Sequence, residues 1–295
     1  MLKAKRKKRL IAGAVLLLVL AALWLFLQHV FPHFFPPFRP DYPQLDLAPI
    51  LAHEHLSEED YQTLFAQTGL GTAAIDDLRD RGEAGIGQIL DTQAAFFEPP
   101  GQDSCSPLGI TTREHRYLDE DGYILYAVPL APLQEGDIIV SFSTHTAGWS
   151  HGHAGLVVDP APQRPVTLES VVLGTLSDTM NANHWRSYTT MMVLRPKVDE
   201  ATRHQVAQLA MERLYGIPYS LVSGVFGDKL QPLDGSHNAQ CGYLPWYAWM
   251  AAAGIDLDGD GGRVVAPADL AMSPHVEVVQ VYGIDPGRYP LSFED

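Results

Sequence analysis

The hydrophobic positions of this chain fall into three textures. The first is an uncharged run from Leu10 to Leu27, LIAGAVLLLVLAALWLFL. At about 1.5 Å per helical residue it nearly crosses a hydrocarbon core of roughly 30 Å, which predicts a single membrane span. Trp24, Phe26, Phe31, Phe34, Phe35 and Phe38 gather at its far end, where aromatic rings favour a membrane interface. Pro32, Pro36, Pro37 and Pro40 then forbid helix and predict a stiff stalk.

The second texture has helical period. Ser57 stands three residues ahead of Asp60 as a capping pair, followed by Tyr61, Leu64 and Phe65, and predicts a helix over about 57–67. Gly69 and Gly71 stop it, Thr72 caps a second helix through Leu78, and Ile86 to Phe96 forms a third. Residues 98–135 are rich in turn formers, with one strand or hairpin expected around Tyr123 to Val128.

From Gly136 the pattern changes to short β-branched runs: Asp137 to Phe142, Ala154 to Val158, Val166 to Val172 and Thr190 to Leu194. Gly, Pro, Asn or Asp breaks each of them, as antiparallel strands require. Asp199 caps a helix carrying Val206, Leu209, Ala210 and Leu214, which Gly216 ends; a second apolar helix covers roughly Leu244 to Ala253, and Val276 to Tyr282 is a last strand. The expected class is α+β, preceded by a transmembrane helix and a small helical segment. Its divisions are 1–40 for the basic tail, anchor and stalk, 41–100 for the helical segment, and 101–295 for the main domain.

Composition narrows the picture. With 46% hydrophobic and 19% charged residues over 295 positions, the chain is neither disordered, collagen-like nor a multi-pass membrane protein. A net charge of -15 repels phosphate backbones and excludes general nucleic-acid binding. Lys3, Lys5, Arg6, Lys7, Lys8 and Arg9 precede every acidic residue. Such a cluster stays on the cytoplasmic side, so the body is expected outside the cell membrane on a single-pass anchor. The apolar run continues as Gln-His-Val-Phe-Pro-His-Phe, without the small-x-small site of a cleaved signal peptide. Two cysteines, Cys105 and Cys241, exclude a disulfide-dense scaffold and a four-thiolate zinc site, and leave one mutual disulfide open.

Candidate chemistry centres on Cys241, just ahead of the apolar helix. There a helix's free N–H groups and positive end lower a thiol's pKa and favour the nucleophilic thiolate. The alternatives are a small buried hydrophobe or half of a disulfide with Cys105. Pro245 lacks an N–H, and a regular helix starting there would weaken the effect. A thiol nucleophile needs a base and a group to orient it. His151 and His153 immediately precede one strand and Glu169 lies in the next; adjacent antiparallel strands would set Glu169 beside His153. His151 reads as a loop histidine, and metal ligation by the His-x-His pair lacks partners at matching spacing. Asp256, Asp258 and Asp260 have the rhythm of a calcium loop, but its twelfth position is Pro267, leaving an acidic turn as the other possibility.

Gly136-Asp-Ile-Ile139, His153-Ala-Gly-Leu-Val157, Tyr215-Gly-Ile-Pro-Tyr219, Gln240-Cys-Gly-Tyr-Leu244 and Ala266-Pro-Ala-Asp-Leu270 together resemble the NlpC/p-sixty papain-like cysteine hydrolases. The order His, Glu, Cys resembles their circularly permuted YiiX/YebB-like branch, across roughly residues 135–285. The resemblance implies a papain-like domain whose antiparallel sheet packs on the nucleophile helix. It implies Cys241 as nucleophile, His153 as base and Glu169 as orienting acid, cleaving an amide or ester bond through a thioester without a cofactor. Tyr219 would assist the oxyanion, together with the Cys241 N–H, and Tyr243, Trp149 and His151 are further candidates for oxyanion or substrate binding. Tyr243, Trp246, Tyr247 and Trp249 either line an apolar cleft or fill the core. Gly242 stands where the family has serine and Pro245 where it prefers valine. Membership implies a cell-wall peptide or a lipid or acyl-amide substrate; the alternative is an inactive papain-like domain that only binds such ligands.

Overall fold

The computed structural model describes residues 2–30, 36–108, 112–146, 148–232, 237–289 and 291. Phe31, Phe34, Phe35 and Pro32, expected at the outer end of the anchor, lie outside the described residues. The helices are α1 (Leu2–His29), α2 (Ala48–Leu51), α3 (Glu58–Thr68), α4 (Thr72–Arg79), α5 (Glu83–Phe97), α6 (Glu200–Arg213), α7 (Tyr243–Ala253) and α8 (Pro267–Ala271). The strands are β1 (Gln102–Leu108), β2 (Thr112–Leu118), β3 (Ile138–Ser141), β4 (Thr144–Thr146), β5 (His153–Asp159), β6 (Val166–Glu169), β7 (Asp178–Asn181), β8 (Met191–Pro196) and β9 (Val276–Tyr282). All strand pairs within the two sheets are antiparallel. The larger sheet runs β7-β6-β5-β3-β8-β9 and the smaller β1-β2-β4, so the protein is α+β.

The central strands are continuously apolar because both faces of the large sheet are covered. Ile138, Val140, Leu156, Met192 and Leu194 pack with Val206 of α6 and Trp249 of α7. Their alternates Ile139, Val157, Val193 and Val279 pack with Leu64, Leu78 and Phe96 of the N-terminal helices. Successive side chains on a strand point to opposite faces, so one short run feeds two cores. The helical segment is bonded to the sheet edge as well: Gly71 N–H donates to Val279 O and Val281 N–H to Gly69 O.

Ser57 forms the anticipated capping box with Asp60, and Gly69 closes α3 in the left-handed conformation at φ 70°. The cap of α4 is Gly71 rather than Thr72, which is its first helical residue. A side chain at Gly71 would meet the Val278 carbonyl at 1.9 Å, so close approach to β9 dictates that residue. The hairpin of the 98–135 region is β1–β2, whereas around Tyr123 to Val128 there is only an isolated bridge from Leu118 to Ile124. Asp137, from the Gly136-Asp-Ile-Ile motif, is buried against Arg195, with both carboxylate oxygens 2.9 Å from guanidinium nitrogens. It ties β3 to β8, a structural task.

α1 is the one described helix long and apolar enough to cross a membrane; its span Arg9–Gln28 has mean hydropathy 2.9 and is exposed along its length up to Phe26.

Candidate active site

Antiparallel pairing of β5 with β6 places Gly155 opposite Glu169. His153, two residues before Gly155, therefore stands diagonally across from Glu169 on the same face. His153 Nε2 is 2.7 Å from Glu169 Oε2. Gly155 permits this contact: a Cβ there would lie 2.9 Å from Glu169 Cγ and 3.0 Å from the Trp185 ring. The Trp185 indole stacks on the His153 ring with centroids 5.2 Å apart and planes 10° from parallel, fixing the imidazole between strand and aromatic face.

The other Glu169 oxygen collects three donors. His184 Nε2 lies 2.7 Å and Trp185 Nε1 3.2 Å from Oε1, and the Thr167 hydroxyl donates to it as well. Sequence reasoning missed His184, Trp185 and Thr167. The first two sit in a 3₁₀ turn, Ala182–Ser187, whose return beneath the sheet has no local signal. Burial opposes ionisation of Glu169, but the charge of His184 and hydrogen bonds from His153 and His184 hold its carboxyl far below the usual carboxylate range.

Cys241 closes the row. Its sulfur is within hydrogen-bonding reach of the His153 ring, while its S–H is aimed at Gln240 Oε1, 3.6 Å away. Nε2 is committed to Glu169, which leaves Nδ1 as the nitrogen available to the sulfur. Burial works against an imidazolium at His153, yet hydrogen bonds to Cys241 and Glu169 and the negative charge of both push its pKa up to about 10. Cys241 and His153 each keep 8% exposure. Cys105 and Cys241 are both free thiols; the disulfide left open by the sequence is not formed, and the two belong to different clusters.

The turn at Cys241 is locked by Gln240, another residue the sequence did not flag. Its Oε1 accepts from the Gly242 N–H at 3.0 Å and its Nε2 donates to the Val265 carbonyl at 2.5 Å. A Cβ at Gly242 would sit 2.3 Å from that carbonyl. Glycine in place of serine follows from how tightly the segment leading into α8 wraps the nucleophile turn. The regular helix begins at Tyr243 rather than at Pro245, so Pro245 falls in the first turn of α7. There its missing N–H has no intrahelical carbonyl to reach, and the positive helix end stays at Cys241. No acceptor among the described residues takes the Cys241 N–H.

Tyr219 is beside this cluster through its parallel bridge to Ala239; burial, then the charge of the Cys241 sulfur, pushes its hydroxyl pKa upward. Tyr243 is elsewhere: its ring is buried against Trp246 and Tyr247 and its hydroxyl donates to the Lys229 carbonyl, so it is core and does not face substrate. Trp246, Tyr247 and Trp249 are buried too. Trp149 is exposed and leans on His151. His151 has both nitrogens engaged, Nδ1 with Gly152 O at 3.0 Å and Nε2 with Thr146 Oγ1 at 3.2 Å. Burial depresses its pKa, so it is a neutral loop support.

The calcium pattern is redistributed. Asp258 and Asp260 gather with Asp269 instead of Asp256, Asp256 accepts from Trp246 and from the Asp258 N–H, and the Lys229 ammonium is paired with Asp258. That ammonium supplies positive charge where a cation would sit.

The fold and this cluster define the protein as an α+β chain with a buried thiol–imidazole–carboxylate row and an apolar N-terminal helix. No family model matches it. The uncharacterized protein YycO of Bacillus subtilis (strain 168) is 25% identical over 143 residues, which are 46% of this chain and 52% of YycO; the chain spans about half the length of that relative. A crystal structure of the metalloprotein YiiX from Escherichia coli O157:H7 matches 50% of this chain and 97% of its own, with a TM-score of 0.39 and 16% identity.

Proposed function

We propose that this chain is a membrane-anchored cysteine hydrolase that cleaves an amide or ester bond by acyl transfer. The observation that carries it is the position of His153, held by Glu169 at 2.7 Å and coupled by hydrogen bonding and charge to the Cys241 sulfur. The thiolate of Cys241 attacks the substrate carbonyl carbon. The oxyanion is received by the Cys241 N–H and the Tyr219 hydroxyl. His153 as imidazolium gives its proton to the departing amine or alkoxide, leaving a thioester on Cys241. Water, deprotonated by His153, then attacks the thioester, and the acid product leaves as the thiol is restored.

Of the two substrate classes, an acyl chain on a lipid or amide is the better supported. Thr175 O accepts from the Tyr219 N–H, and Ser220 N–H donates to Ala239 O, so the loops on either side of Tyr219 border the Cys241 turn. They expose Val172, Leu173 and Leu176 on one side and Leu221, Val222 and Phe226 on the other, Phe226 to 77%. An apolar rim of this kind favours an acyl chain over a polar cell-wall peptide. With α1 as anchor and the six leading cations inside, the domain is held outside the cell on a tether to the bilayer.

Detergent-solubilised full-length protein mixed with a long-chain acyl ester and quenched in acid is expected to carry the acyl mass on the Cys241 peptide. Cys241→Ser and His153→Ala should show none, and a cell-wall peptide should load Cys241 far less. If neither substrate class acylates the protein and iodoacetamide reacts with Cys241 no faster than with Cys105, a ligand-binding domain without chemistry replaces the hydrolase.

A further inference from the structure

The smaller sheet assembles a second cluster that the thiol–imidazole row does not use. Cys105 of β1 and His115 of β2 are direct cross-strand partners. His145 of β4 pairs with Arg113, two residues along β2 from His115. Partners opposite each other and residues two apart share a face of a sheet, so Cys105, His115 and His145 all project from one side. One ligand atom from each, a sulfur and two imidazole nitrogens, lie within 4.8 Å of one another. The two rings are 5.4 Å apart between centroids, inclined at 40°.

The surroundings match what ligating imidazoles need. His115 Nδ1 is 2.9 Å from Asp103 Oδ1, and His145 Nε2 is 3.5 Å from the Gln28 main-chain carbonyl at the end of α1. An oxygen acceptor on one nitrogen of each ring is the outer-shell contact that fixes the tautomer of a metal-bound histidine.

We propose that Cys105, His115 and His145 form a binding site for a borderline-soft divalent cation, with zinc as the best fit. One thiolate and two imidazoles suit a tetrahedral zinc ion with a fourth position for water, whereas calcium and magnesium demand oxygen ligands. Binding forms a metal–sulfur bond in place of the hydrogen bond that the Arg113 side chain makes to Cys105, displaces that guanidinium towards solvent and releases the thiol proton, so affinity rises with pH. The ion would staple β1, β2 and β4 together. It would also brace the connection from β4 to His153, since His145 and His151 lie only a few residues apart on it. The site does not depend on Cys241 having any activity.

Cobalt(II) titrated into metal-stripped full-length protein in detergent tests this. One equivalent should bind with a thiolate-to-cobalt charge-transfer band and the intense visible bands of four-coordinate cobalt. Zinc should bleach both and raise the melting temperature. Cys105→Ser should abolish the charge-transfer band, and Cys241→Ser should leave it. Asp103→Asn should weaken binding by about 10–100-fold, the usual loss on removing an outer-shell partner. Should Cys105→Ser not fold, His115→Gln, which keeps the thiol, must still lose most of the affinity. The proposal is overturned if the wild-type spectrum shows only weak six-coordinate cobalt, if Cys241→Ser is the variant that loses the band, or if His115→Gln binds like wild type.

Discussion

At the scale of single residues, small side chains govern the row as much as the reactive ones. Gly242 stands where the hydrolase family that the sequence resembles has serine, and a Cβ there meets the Val265 carbonyl at 2.3 Å, a backbone atom that cannot swing aside. Gly242→Ser is therefore expected to destabilise the protein by about 1–3 kcal/mol, the range for forcing extra atoms into a packed site. Urea unfolding measures it, and an unchanged midpoint would contradict the close approach. Gly155→Ala should act differently, since its Cβ first meets the Glu169 side chain at 2.9 Å. Pushing Glu169 away from His153 should lower acyl transfer more than stability, which steady-state rates beside a melting curve would separate. The thiol, imidazole and carboxylate were visible in the sequence because His153 begins a strand, Glu169 ends one and Cys241 stands two residues ahead of a helix. Gln240, His184, Trp185 and Thr167 were not, because their partners are set by strand pairing and by a turn that no periodicity announces. Nor did the sequence separate Tyr243 from Tyr219: one hydroxyl is tied to Lys229 in the core, and the other lies near the sulfur.

Elements with a strong period or a cap were legible to within a residue or two. Helices α3 and α6 begin after Ser57 and Asp199, and both side chains accept from backbone N–H groups of the first turn. Strands β3, β5 and β8 appeared as apolar runs, since both sheet faces are buried. The β1–β2 hairpin was missed because Gln-Asp-Ser-Cys-Ser-Pro-Leu and Thr-Arg-Glu-His-Arg-Tyr-Leu lack the alternation of apolar residues that marks a half-buried strand. Polar contacts hold it instead: His115 of β2 reaches Asp103 of β1 across the pair, and Arg116 of β2 is tied to Glu114 on its own strand and to the Tyr188 ring beside the sheet. Helix α7 gives the sharpest test at this scale. Pro245 is in its first turn, where a backbone N–H would find no helical carbonyl. Pro245→Ala should change stability by no more than about 0.5 kcal/mol and leave the alkylation rate of Cys241 near the wild-type value. A large drop in that rate would mean that the proline itself shapes the helix start.

On the scale of the whole molecule, the shifted pair of His153 and Glu169 couples stability to pH. The folded state raises the His153 pKa to about 10, above the ordinary 6.5, and holds Glu169 below the ordinary 4.5. A raised histidine stabilises the fold fully below pH 6.5, and that contribution disappears as pH climbs towards 10; a depressed carboxylate contributes above pH 4.5 and loses its effect as pH falls below it. Between those limits Glu169 carboxylate and His153 imidazolium coexist. His145 and His151 shift the opposite way, their pKa values lowered by burial, so they subtract stability as pH drops through the histidine range. The clean observable is accordingly a difference. The melting temperature of wild type minus that of His153→Gln should be largest near pH 6 and shrink steadily up to pH 10. In Cys241→Ser, which removes the sulfur's charge from that pair, the His153 ring should titrate well below the wild-type position by NMR. An imidazole titrating at the same pH in both proteins would mean that the sulfur and the ring do not communicate, and the row would reduce to a buried His–Glu pair beside an inert thiol.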